Sequence, residues 1–269
     1  MSENPNRSKI LRITAYGAVI VAFLITLGFS EHRQDVMPCS DVEVAIIDTL
    51  GHNFVEEGEI MELVKNKFGT LQGKPLSSIN ISLLEKIINT NPFIADAEVF
   101  STIDGKIKIE VKQRMPVVRI VNVKDESFYI DDQGVFMPLS GDYTARVAVA
   151  NGYIFDTESE RRVTVYDGEK KDTAIKLSRI DEIFHVADYI YHHEFWNAQI
   201  EQIYVNAEGD IELIPRVGSQ NIVLGNSEKL EKKLNKLLLF YREGLSKTGW
   251  NKYKTINLKY EGQVVCTKK

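Results

Sequence analysis

From Ile13 to Phe29 the chain reads ITAYGAVIVAFLITLGF without one charged residue, and the apolar residues concentrate in no other run of this length. At about 1.5 Å of rise per residue this run spans roughly 25 Å as a helix, the short end of a bilayer's hydrocarbon thickness. Arg7, Lys9 and Arg12 precede it, and Glu31, His32, Arg33 and Asp35 follow it with no net positive excess. The positive-inside bias therefore predicts a cytoplasmic tail over residues 1–12, one transmembrane helix over 13–29, and export of everything beyond. A cleaved signal peptide also starts basic, but its apolar core usually holds about 7 to 15 residues and ends at a small-x-small cleavage site. Here the exit reads Leu27, Gly28, Phe29, Ser30, Glu31, His32, which offers no such site. An uncleaved signal-anchor is the favoured reading.

A chain of 269 residues leaves room, behind the anchor, for one large domain or two small ones. With 43% hydrophobic and 26% charged residues the chain is neither disordered nor a disulfide-dense scaffold. Its 33 basic and 38 acidic residues give a formal charge of -5, which lacks the electrostatic footprint of a nonspecific nucleic-acid binder. Cys39 and Cys266 sit at opposite ends of the exported part, where a disulfide is chemically permitted.

After a linker over residues 30–41, the segment Val42 to Ile47 is apolar enough for a strand. Ile60, Leu63, Val64 and Phe68 recur at helical spacing up to Gly69. Ser82 and Glu85 have the spacing of a capping box ahead of Leu83, Leu84, Ile87 and Ile88, and Pro92 ends that helix. Ala97 and Val99 begin a strand, Asp104 and Gly105 supply a hairpin turn, and Ile107, Ile109 and Val111 alternate with charged residues. Val117, Val118, Ile120 and Val121 add one more strand. Residues 42–121 thus read as a β-α-α-β-β domain, two helices covering a three-stranded sheet.

Residues 122–269 read as a second domain, mixed but mainly antiparallel β with flanking helices, so the exported part is α+β. Phe128 to Ile130 and Val135 to Met137 form a hairpin around a turn at Asp131 to Gly134. Val147 and Val149 mark a short strand, while the charged stretch 156–172 offers only Val163 and Val165. Ile180, Ile183, Phe184, Ala187, Ile190 and Tyr191 stripe a helix, and Leu230, Leu234, Leu237, Leu238 and Tyr241 another ending near Gly244. Strands are expected at Ile200 to Val205, Ile211 to Ile214 and Ile222 to Leu224. Ile256, Leu258 and Tyr260 alternate with Asn257 and Lys259, and the chain runs on past Gly262 through Val264 and Val265. A strand this close to the C-terminus is placed to sit at a sheet edge, where unpaired backbone groups accept a strand from another chain.

No catalytic constellation emerges. His185 and His192 lie two helical turns apart, about 10 Å, too far to share one zinc ion as H-E-x-x-H histidines do, and His193 and Glu194 point in different directions. Asp131 and Asp132 before Gln133 and Gly134 read as a solvated turn rather than a carboxylate dyad. Nucleophile-elbow and phosphate-loop signatures do not occur. Lys229, Lys232, Lys233 and Lys236 alternate with leucines and read as the wet face of the last helix. No cofactor or metal is implied, and a binding module is favoured over an enzyme.

The order of elements, with Gly73-Lys74-Pro75-Leu76, Asn91-Pro92-Phe93-Ile94, Arg114-Met115-Pro116-Val117, Tyr129-Ile130-Asp131 with Gly134, Leu224-Gly225 and Ile256-Asn257-Leu258-Lys259-Tyr260, resembles the FtsQ/DivIB family of bacterial cell-division proteins. The resemblance covers the chain from the apolar run onward. It implies a POTRA domain followed by a β domain, held in the inner membrane by a single span and enriched at the division septum. It further implies a noncatalytic divisome scaffold that binds FtsB-like and FtsL-like partners and reaches the septal peptidoglycan synthase and its partner. In the family a segment of FtsB adds as a strand to the late β edge, which implies partner contacts at Ile256, Leu258, Lys259, Tyr260, Gly262, Val264 and Val265. Lys259 stands where many relatives carry arginine, keeping the charge but losing the bidentate fork. The alternative is a POTRA-type chaperone for exported or outer-membrane clients.

Overall fold

The computed structural model describes residues 16–21, 37–47, 51, 53–157, 178–250 and 252–269. These form two compact units that meet between Gln113 and Arg114 in sequence. Residues 16–21 are helical with exposed side chains, but the rest of the expected span 13–29 lies outside the described residues, as do the tail 1–12 and linker residues 30–36. Among the described residues no helix is long and apolar enough to cross a membrane.

The first unit runs β1 (Asp41–Ile47), α1 (Glu57–Phe68), a short 3-10 turn, α2 (Ile81–Ile88), β2 (Ile94–Ser101) and β3 (Lys106–Gln113). Its sheet has the order β1-β3-β2, with β1 parallel and β2 antiparallel to β3. The parallel pair demands a long crossover, which the two helices supply. The β2–β3 hairpin turns at Gly105, whose φ of +85° is open to glycine at no steric cost. The alternation in β3 carries through: Ile107, Ile109 and Val111 are buried together with Ile60, Val64, Leu84 and Ile88 from the helices.

The capping box expected at Ser82 and Glu85 does not form. Asn80 caps α2 instead, its side chain accepting from the Leu83 amide at 3.0 Å. Glu85 is left to accept from the Val99 amide, also at 3.0 Å. That bond lands on β2, an edge strand, and so occupies one of the groups through which another strand would pair.

The second unit is a nine-stranded sheet in the order β12-β11-β10-β9-β8-β7-β4-β5-β6. Its elements are β4 (Pro116–Val121), β5 (Ser127–Asp131), β6 (Phe136–Met137), β7 (Ala148–Gly152), α3 (Arg179–His192), α4 (Glu194–Gln199), β8 (Ile200–Val205), β9 (Ile211–Pro215), β10 (Asn221–Gly225), α5 (Leu230–Phe240), β11 (Tyr253–Asn257) and β12 (Val265–Lys268). A π-turn, Tyr241–Leu245, extends α5. The pairs β4/β7, β7/β8 and β10/β11 are parallel and the other five antiparallel. One apolar core joins Ile183, Val186 and Ile190 of α3 and Leu234 and Leu237 of α5 to the sheet. The Val163 and Val165 expectation lies outside the described residues.

Two expectations are corrected here. The three-stranded sheet forms as expected, but the further strand at 117–121 does not belong to the first domain: β4 is hydrogen-bonded to β5 and β7 in the second unit. Val117, Val118 and Ile120 are all buried, so both faces of β4 are covered. They pack into the core shared by the second unit's sheet and its helices. The boundary therefore falls after Gln113 rather than after Val121. The turn at Asp131 is correct but not solvated. Asp131 is fully buried, accepts from the Gln133 amide at 3.0 Å and the Val135 amide at 2.6 Å, and pairs with Arg114 at 2.7 Å.

Candidate functional site: the C-terminal sheet edge

β11 is an interior strand, parallel to β10 on one side and antiparallel to β12 on the other. The edge is β12, so the free backbone groups belong to residues 265–268 and not to the segment 256–260. Of the expected contact residues, Ile256 and Leu258 are fully buried, and the Leu258 amide donates to the Val223 carbonyl at 2.9 Å. Their side chains build the core, so a partner on the surface does not reach them. Lys259, Tyr260 and Gly262 lie in the β11–β12 loop, where Tyr260 is 51% exposed. Val264 packs partly against the core, and Val265 is 42% exposed on the edge strand. Lys259, Tyr260, Gly262, Val265 and the outer backbone of β12 are the accessible members of the set.

Lysines hold this loop in place. Lys236 reaches from α5 to donate to the Leu258 carbonyl at 3.1 Å and the Tyr260 carbonyl at 2.5 Å. Lys229 pairs with Glu261, and Lys259 with Asp210 at 2.6 Å. The Lys259 stem lies over Gly225, where an added Cβ would come within 2.9 Å of Cγ and where φ is +83°. Glycine is required there on both counts. Lys233 donates to the Asn226 carbonyl and side chain at 2.9 Å. Lys229, Lys233 and Lys236, read as a wet helix face, thus serve as clamps. Helical spacing shows which face a residue shares but not which distant loop folds back over it.

Between the loop and the start of α5 lies a groove of about 600 Å³, floored by Lys232, Lys233 and Lys236 and rimmed by Tyr260. Burial pushes the Lys233 and Lys236 ammonium groups down, the first despite the nearby Glu228 carboxylate. At the rim the hydrogen bond and charge of Glu261 raise Lys229, and Lys229 in turn holds Glu261 below the usual carboxylate range. An acid with a depressed folded value stabilises above its unfolded pKa and loses that contribution as pH falls through the folded value. A lysine with a raised folded value stabilises below its unfolded pKa and loses it as pH rises through the folded value. The Lys229–Glu261 latch is therefore closed across the neutral range. Hydrogen exchange of the loop amides, corrected for intrinsic rates, is expected to stay flat from about pH 6 to 9 and to lose protection near both carboxylate and lysine titrations. A transition centred inside that window would contradict the latch.

The three described histidines do not line this groove. His185 is exposed, His192 pairs with Asp188 at 3.1 Å, and His193 stacks on Tyr189. Among the described residues no group of three or more His, Cys, Asp or Glu side chains is placed to hold a metal ion. Cys39 and Cys266 are both free thiols, the first buried and the second half-buried on β12, and burial raises both.

A β-α-α-β-β module followed by a large mixed sheet, whose C-terminal edge has no strand partner among the described residues, defines a class of two-domain α+β protein. A family model described as POTRA-like domain matches residues 37–112, and one described as FtsQ/DivIB, C-terminal related, matches residues 115–267. The chain belongs to the FtsQ/DivIB family. The cell division protein DivIB of Clostridium tetani is 26% identical over 212 residues, an alignment covering 70% of this chain and 66% of that protein. The two family matches part where the structure does, between Gln113 and Arg114.

Proposed function

We propose that this protein is a noncatalytic scaffold of the bacterial divisome. It takes an extended segment of an FtsB-like partner as an added strand on the outer edge of β12, beside Tyr260. The observation that carries this reading is the open edge of β12 in a chain of the FtsQ/DivIB family, flanked by a half-exposed tyrosine on a clamped loop. Strand addition supplies affinity through main-chain hydrogen bonds and specificity through neighbouring side chains. An FtsL-like protein would join through that partner, and the assembly would link early division proteins to the septal peptidoglycan synthase. The apolar run 13–29 would hold the protein in the inner membrane, with the amino terminus in the cytoplasm and both units outside. The chaperone alternative gains no support, since Glu85 already occupies an amide of the β2 edge in the POTRA-like unit. Depletion of the protein in its source bacterium is expected to give filaments or unresolved septa, with a tagged copy concentrating at midcell. Normal septation after depletion would reject the reading.

A further inference from the structure

At the end of the sheet opposite the β11–β12 loop, the aromatic side chains gather. Tyr241 is the hub, with Trp250 at 5.1 Å, Trp196 at 6.1 Å and Phe195 at 6.4 Å between ring centroids. Tyr241 and Trp196 are buried, but Phe195 is 39% and Trp250 37% exposed. The neighbouring β9–β10 turn is tied in through the Arg216 amide, which donates to the Gln199 carbonyl at 2.8 Å, and presents Val217 at 57% exposure. Three cations stand on the same segments. Arg216 lies in that turn; Lys252 sits beside Tyr253, its Nζ 6.0 Å from the ring; and the Lys269 side chain reaches Ser219 at 2.6 Å while its amide donates to the Lys252 carbonyl at 3.3 Å.

Beside the β11–β12 loop, Lys229 and Lys259 are each matched by a carboxylate, and Lys233 and Lys236 donate to backbone carbonyls. At the aromatic end none of Arg216, Lys252 and Lys269 has an ion-pair partner among the described residues. All three are exposed. Unmatched cations on long stems around exposed aromatic rings are the chemistry that meets an anionic headgroup layer, with the rings at the level where tails and headgroups join. The exposed tips come from the start of α4, the β9–β10 turn and the segment before β11. Protrusions from separate segments suit a planar surface better than an extended peptide.

The geometry points to this aromatic and cationic end of the second unit as a docking surface for a membrane carrying anionic lipids. This surface lies apart from the Tyr260 site and does not depend on strand addition. Each cation near an anionic surface contributes roughly a factor of five in partitioning, so removing three should weaken it about 100-fold and reversing them to carboxylates should weaken it further.

The chain contains two tryptophans, Trp196 and Trp250, and neither falls in the apolar run 13–29. Tryptophan quenching by brominated lipid therefore reports on the second unit even if the full chain also inserts that run. The full chain is compared in vesicles of brominated phosphatidylcholine alone and of an equimolar mixture with phosphatidylglycerol. Quenching is expected in the mixture only, weakened by salt, abolished by Trp250→Phe, and lost in the triple variant Arg216→Glu, Lys252→Glu, Lys269→Glu at unchanged Tm. Quenching that is absent, equal in both vesicles, or retained in Trp250→Phe would overturn the proposal. So would protection of this end that arises only on adding a partner protein.

Discussion

Arg114→Ala is expected to cost the second unit about 3 kcal/mol, the size typical of stranding a buried charge. Arg114 Nη1 lies 2.7 Å from Asp131 Oδ2, and Asp131 is wholly shielded from water while Arg114 keeps 19% of its side-chain surface. The two backbone amides bound to Asp131 both fall on Oδ1. Removing the guanidinium therefore leaves Oδ2 buried beside no equivalent donor, whereas removing Asp131 would leave an arginine that still reaches solvent. For a unit of this size each kcal/mol corresponds to about 2 to 4 °C, so thermal unfolding should fall by about 10 °C. Arg114→Lys restores charge without the planar fork and should recover part of the loss. The double variant Arg114→Met, Asp131→Asn should be milder than Arg114→Ala because no charge remains buried. A drop under about 1 kcal/mol, or a double variant worse than the single, would show that the pair does not anchor this strand.

That pair also shows where sequence reading stops. Asp131 and Gly134 announced a turn through local chemistry, since a short carboxylate followed by glycine suits a tight reversal whatever surrounds it. Whether the carboxylate met water or arginine depended on β4 lying beside β5, a tertiary fact with no periodic signature. β4 itself illustrates the point. Its run of Val117, Val118 and Ile120 lacks alternation, the mark of a strand covered on both faces, yet its nearness to the β2–β3 hairpin in sequence suggested the wrong domain. The periodic elements were legible because burial repeats with the backbone: β3 at every second residue, α3 and α5 at helical spacing.

The candidate site was legible in outline. Tyr260 and Val265 are accessible where the late strand was expected to meet a partner, but the alternation of Ile256, Leu258 and Tyr260 did not reveal that the first two point into the core and the third leaves the strand. Alternation specifies two faces of a sheet, and only the neighbouring strands decide which face is wet. The clamp by Lys229 and Lys236 was illegible for a related reason. A lysine with a long stem can lie along apolar surface and deliver its charge to a carbonyl far away in sequence, and no spacing rule separates it from one that points into solvent.

A proline at position 266 is expected to weaken binding of an FtsB-like segment about thirtyfold, close to 2 kcal/mol, from one lost main-chain hydrogen bond and the clash of the ring with an incoming strand. The Lys269 amide donates to the Lys252 carbonyl, which turns it toward β11. Amides alternate sides along a strand, so those of Thr267 and Val265 also face β11, and those of Cys266 and Lys268 face outward. Proline is tolerated on an edge strand where its missing N–H would have faced solvent, so Cys266→Pro should keep the β11 pairing while blocking the middle of the outer edge. Cys266→Ala removes the half-buried thiol but keeps the amide, and should bind within about threefold of the unsubstituted protein, well short of the proline effect. Calorimetric titration with the partner segment, alongside circular dichroism to show that both variants stay folded, separates the backbone from the side chain. Equal affinities for the proline and alanine variants would mean that the partner does not add as a strand to β12. A loss confined to Tyr260→Ala would then move the contact to the clamped loop and its lysine-floored groove.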